Sequence, residues 1–264
     1  AVQVVYRRGV FMREALASVQ QQRTINTILD TVMVALMPVS EEAAFRACDL
    51  YKQMYLPDNG NQLVASVANL NSPSQVVLSG DKEAVEQVLV LLKESLADAD
   101  SDAVLGGGKQ RKRRRIRSVY LPVSAPFHSP LLQAAASPFF QYLKRRVNLR
   151  KTELCVVGNV LAEPLPLCAG AKSLEASGLK FSNTSNSFSL KKIMAEHIVA
   201  PVQWRKSIEW CLLNKCTISG EEGMPSFLEI GADTLTRMNR KTLEDSTSKG
   251  AVLSEACTGA EWIK

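Results

Sequence analysis

Long apolar runs are absent: at no point do about eighteen apolar residues follow one another without a charge, so a helix built to cross a bilayer is not expected and neither is a membrane partner. Histidine is scarce, with only two in the chain, and its six cysteines (Cys48, Cys155, Cys168, Cys211, Cys216, Cys257) include no Cys-x-x-Cys pair. That spacing argues against a structural zinc site or a disulfide framework and for free thiols in a reducing compartment; no metal is expected. No secretory signal is visible. Because the chain opens on Ala1-Val2-Gln3, its natural start, with any transit peptide, is expected to lie outside these residues.

Apolar residues make up 46% of the 264, which suffices for a substantial core in one large domain or a large and a small one. The net charge of +6 is concentrated in Lys109, Arg111, Lys112, Arg113, Arg114, Arg115 and Arg117. The rest of the chain is therefore close to neutral. This run follows Gly106-Gly107-Gly108, a tether signal. It can be a solvated loop, a contact for an acidic protein, or a contact for RNA or phosphate groups. No aromatic residue interrupts it, which weakens a single-strand stacking role.

Along the chain, Val2, Val5, Gly9, Met12 and Leu16 recur at helical steps and predict one buried face. Strands are expected at Thr31–Leu36, Leu63–Asn69, Gln75–Ser79 and Ser118–Val123. One helix follows Ser40 as its N-cap, with Glu41 and Glu42 in its first turn, and runs to about Met54; another, with Asp81 as its cap, carries Ala84, Val85, Val88, Leu91 and Leu92. The order β-α-β-β-α-β is that of a ferredoxin-like unit. Beyond it, a strand at Cys155–Val157, a Pro/Ser/Asn-rich excursion over 161–188, helices around Ile193, Met194 and His197 and around Trp204, Ile208, Cys211 and Leu212, a strand at Phe227–Ile230 and a helix at Leu235 and Met238 predict a mostly parallel sheet with helices on both faces.

His128 lies just past a strand in a loop bracketed by Pro126 and Pro130. Strand ends are where α/β domains commonly place reactive groups, and an imidazole there can take and return a proton near neutral pH. Local sequence leaves catalysis and structure both open for it. His197, on the apolar side of a helix, reads as a packed or capping residue. Arg8 beside Gly9 can receive a carboxylate on its planar fork or be an ordinary surface arginine.

Taken together, Tyr6-Arg7-Arg8-Gly9-Val10-Phe11-Met12, NLNSPSQVVLSG over 69–80, LPVSAPFH over 121–128, Gly158-Asn159-Val160, APVQW over 200–204 and FLEIG over 227–231 occur in the order of one enzyme family. The chain resembles the malonyl-CoA:acyl-carrier-protein transacylases over nearly its whole length apart from insertions. The resemblance implies an α/β fold with a mostly parallel sheet of the acyl transferase (α/β-hydrolase-like) type and an inserted ferredoxin-like α+β subdomain. Residues 1–24 would be the first helix of the large subdomain, 25–120 the small one with its basic insertion near 97–117, and 121–264 the remainder of the large one.

For function the resemblance implies S-malonyltransferase chemistry: an elbow serine attacks malonyl-CoA, and the acyl-serine is resolved by the thiol of acyl carrier protein. Coenzyme A enters only as substrate, with no bound cofactor. By the same resemblance His128 is the base, Arg8 the malonate ligand, Asn71 a residue of the cleft, and the backbone near His197 the support that orients the base.

The chain departs from the pattern: Gly231-Ala232-Asp233 replaces Gly-Pro-Gly, insertions lie around 97–117 and 161–188, no serine has the glycine-flanked Gly-His-Ser-Leu-Gly context, and the Gly-Gln-Gly-Ser-Gln oxyanion loop is not among these residues. The nucleophile segment is thus expected to precede residue 1. The alternative expectation is an inactive relative, a pseudoenzyme that assembles with acyl carrier protein or a ribonucleoprotein. Acyl-carrier-protein chemistry in a separate basic protein suggests the mitochondrial matrix, with a plastid or the cytoplasm as alternatives.

Overall fold

The computed structural model describes residues 1–23, 30–55, 63–105, 115–150, 155–165, 186–213 and 234–247. Helix α1 (Val2–Gln22) leads to strand β1 (Thr31–Met37), helix α2 (Glu41–Met54), strands β2 (Ala65–Ser72) and β3 (Gln75–Asp81), helix α3 (Lys82–Leu105) and strand β4 (Arg117–Tyr120). The strands form one sheet in the order β2-β3-β1-β4, every neighbouring pair antiparallel. This is the ferredoxin-like arrangement: β3 and β4 flank the first strand, and β2, reached through α2, lies at the far edge beside β3.

Strand β1 alternates between two cores, as a strand covered on both faces must. Val34 and Leu36 join Val76, Leu78, Ala84, Val85, Val88 and Leu92 in the layer under α2 and α3. Met33 and Ala35 pack with Ala68 and Val77 on the opposite face, where Leu121 and Phe127 cover them. Ser40 caps α2 as its sequence implies, its hydroxyl accepting from the Ala43 amide at 3.2 Å. Asp81 does not cap α3. Its carboxylate is taken by the fork of Arg23 (2.6 and 2.8 Å) and by the Val64 amide at 2.7 Å, so it ties the end of α1 to the sheet.

The second layer is helical. A 3-10 turn over Pro130–Leu132 opens α4 (Gln133–Arg146), and after the two-residue strands β5 (Val157–Gly158) and β6 (Glu163–Pro164) come α5 (Asn186–Glu196), α6 (Trp204–Leu213) and α7 (Thr234–Thr247). Met12 and Ala15 of α1, Leu132, Ala135, Phe139 and Leu143 of the turn and α4, and Ala195 and Ile198 at the end of α5 form its core. The buried face expected of α1 is confined to its later half: Val2 and Val5 are 83% and 70% exposed, and Gly9 has nothing within 4 Å of where a Cβ would stand.

The mostly parallel sheet expected here is not seen among the described residues. β5 pairs with β6 as a short antiparallel hairpin, and the one parallel contact is the bridge of Asn69 to Val202. Two residues per strand are too few to seed a sheet, and the excursion expected from residue 161 supplies the hairpin's second strand and, at its far end, the start of α5. The strand expected at Phe227–Ile230 with Gly231, the tether Gly106–Gly108, the basic residues Lys109, Arg111, Lys112, Arg113 and Arg114, and positions 166–185 of the excursion lie outside the described residues.

Candidate active site

Between β4 and α4 the chain runs through residues 121–129 as a loop pinned at both ends. The Leu121 amide donates to the Met33 carbonyl at 2.8 Å, and the buried Ser129 hydroxyl donates to the Pro126 carbonyl at 2.8 Å. Phe127 packs against both the sheet's outer face and the α1/α4/α5 core. His128 follows in the left-handed region, φ 58°. A non-glycine residue there costs on the order of 1–3 kcal/mol and persists only where the surroundings hold it, a hallmark of functional loops.

The His128 Nδ1 lies 3.0 Å from the Ala200 carbonyl. A carbonyl can only accept, so Nδ1 carries the proton and Nε2 presents its lone pair, the form a general base needs. The backbone carbonyl of His197 also favours the protonated ring. Backbone over residues 197–200 thus surrounds the ring, the carbonyl of Ala200 lying 3.0 Å from Nδ1 and that of His197 adding to it. Burial first, then the charge of Arg8, outweighs both carbonyls and holds His128 below the usual histidine range, so its neutral form prevails at neutral pH.

His197 sits in the turn just after α5, its amide bonded to the Ile193 carbonyl at 2.9 Å. Its ring meets that of His128 with centroids 5.0 Å apart and planes at 53°. Burial, then His128 and Arg8, depress its pKa to about 4. Arg8 is half-buried and its guanidinium acts on both rings, while no carboxylate among the described residues lies within ion-pair distance of it. Arg8, His128 and His197 therefore share one electrostatic site, containing a cation without a counter-ion among the described residues.

Asn71 is buried in β2, on the strand that docks the turn, and makes no hydrogen bond to these three among the described residues. The docking is direct: Leu70 donates to the Val202 carbonyl at 2.9 Å and Val202 donates to Ala68 at 2.8 Å. Gln203 extends it, its amide and side chain donating to the carbonyls of Asn159 and Val160 at 2.8 and 2.6 Å. Ala200 and Gln203 are the residues local reading missed. The APVQW motif marked their positions but not their roles: Ala200 acts through its main-chain carbonyl, which leaves no side-chain signature, and Gln203 bonds Val160, 43 positions away. Ser129 cannot serve as nucleophile in this arrangement, since its hydroxyl is fully buried and committed to Pro126. Among the described residues no cluster of three or more metal-binding side chains exists.

No family model matches the chain. Against characterised proteins it is 27% identical over 231 residues to a malonyl CoA-acyl carrier protein transacylase of Bacillus subtilis (strain 168), covering 88% of this chain and 53% of that protein. It is 24% identical over 249 residues to that of Escherichia coli (strain K12), covering 94% and 60%. The chain thus spans between half and two thirds of the length of these relatives. Its fold superposes on a crystal structure of the enzyme from Streptococcus pneumoniae with a TM-score of 0.62 at 22% identity, over 96% of this chain and 60% of that one. The structure of a type II polyketide synthase acyl-carrier protein in complex with its malonyl-transacylase also gives 0.62 at 22% identity, over 97% and 60%. In sequence and in fold, then, the chain is similar over most of its length to the malonyl CoA-acyl carrier protein transacylases.

Proposed function

We propose that this chain provides the base and the carboxylate-binding half of a malonyl-CoA:acyl-carrier-protein transacylase. The observation that carries the reading is the pairing of a guanidinium with no carboxylate partner among the described residues, Arg8, with an imidazole fixed as a base, His128, in one site. Malonyl differs from acetyl by a free carboxylate, and a half-buried arginine without a partner is the group that recognises one through two charge-assisted hydrogen bonds. His128 Nε2 takes the proton of an attacking hydroxyl as its oxygen adds to the thioester carbonyl, then returns it to the departing thiolate. None of the chain's serines lies in a glycine-flanked elbow, so in this reading the attacking hydroxyl comes from residues outside this sequence. Acyl carrier protein is the proposed acceptor, supported by the similar transacylase whose structure is in complex with such a partner.

The test is the intact mass of the natural polypeptide after brief incubation with malonyl-CoA. One malonyl adduct that passes to acyl carrier protein is expected, and Arg8→Ala should slow malonyl loading on the order of a hundredfold while leaving acetyl loading within a few-fold. If neither an adduct nor transfer occurs with acyl carrier protein present, the enzymatic reading fails.

A further inference from the structure

The side chain of His197 has no place in the mechanism above, which uses only its main chain. It nevertheless lies against the base, ring centroids 5.0 Å apart and tilted by 53°, and its Nε2 is a buried atom with no hydrogen-bond partner among the described residues. Were the position required only to fill space, a leucine or phenylalanine would do so without leaving a ring nitrogen unsatisfied. An aromatic face at this separation is within the range at which a cation is attracted to a ring.

We propose that the His197 side chain is a positioning residue for His128: its neutral ring braces the imidazole and stabilises the imidazolium formed when His128 takes a proton. No bond is made or broken at His197. Among the described residues, the charged and titratable groups facing His128 are Arg8 from α1 and His197 from the turn after α5, with the Ala200 and His197 carbonyls beside them. Arg8 repels a proton on either ring, and His197, with a pKa of about 4, stays neutral at neutral pH. A neutral ring is therefore what His128 meets whenever it becomes charged. The inference rests on His128 being the base.

Because the chain has only two histidines, replacing one leaves a single imidazole to follow by NMR titration, without any substrate. In His197→Leu the midpoint of His128 should fall by roughly half a pH unit relative to wild type, whereas His197→Phe, which retains an aromatic face, should leave it unchanged or raise it. If the Leu variant does not give a folded spectrum, His197→Gln, similar in bulk but without the ring, takes its place in the comparison. Equal midpoints in the aromatic and non-aromatic variants, or a higher one in the latter, would overturn the proposal. Failure of acyl transfer alone would leave this comparison intact, so the two readings fall separately.

Discussion

At the scale of single residues, the site is governed by desolvation. His197 reaches a pKa of about 4 mainly because burial disfavours its charge, with His128 and Arg8 adding to it. An unfolded histidine titrates near 6.5, so between about 6.5 and 4 the folded chain binds fewer protons at this position than the unfolded chain. The stabilisation from this residue is complete above that window and is lost as pH falls through it. Urea unfolding at pH 7 and pH 5 should show the wild type losing more stability than His197→Leu; equal losses would show that its burial is not linked to folding. Arg8 is legible chiefly as a member of a family motif, since an arginine on a helix does not stand out alone, whereas His128 is already marked by its place past a strand between Pro126 and Pro130. What the sequence could not disclose is that the second histidine faces the first, because 69 residues of chain separate them.

Elements were legible where periodicity is strong. The four sheet strands and α2 fall within two residues or so of their expected bounds at most ends, since alternating apolar residues between turn signals leave few other choices. Helix α4 escaped notice because Pro138 lies inside it and interrupts the pattern Leu132, Ala135, Phe139, Leu143, although all four are buried. The face of α1 was misjudged for a different reason: spacing tells which residues share a side, not how far along the helix a neighbour covers them. Near the end of β3, between β2 and β1, the chain itself is tightly confined. A Cβ on Gly80, φ 154°, would fall 1.9 Å from the Val64 carbonyl oxygen. Gly80→Ala should therefore destabilise the chain by roughly 2–4 kcal/mol in urea unfolding, and a cost under about 0.5 would mean that β2 yields there.

For the molecule as a whole, the decisive seam is where Val202 pairs with β2. The sequence showed a β-α-β-β-α-β unit and a motif ending in Pro-Val-Gln-Trp as separate facts; no local pattern could announce that one lies against the other. If the seam is part of the native core, the amides of Leu70 and Val202 should exchange with solvent as slowly as those inside β3. Fast exchange at both, with β3 still protected, would reveal a joint that opens on its own. That behaviour would matter to chemistry, because the carbonyl holding His128 belongs to the same turn.

Phe127 extends the point. Its side chain is gripped by the sheet on one side and by the helices on the other, and the next residue is His128 in its left-handed backbone conformation. A side chain seated in two bodies acts as a pivot pin: neither body can turn on the other without twisting the peptide that follows. The alignment of the imidazole is thereby geared to the angle between sheet and helices, so a molecule that wedges or draws those layers would change the reactivity of His128 without touching it.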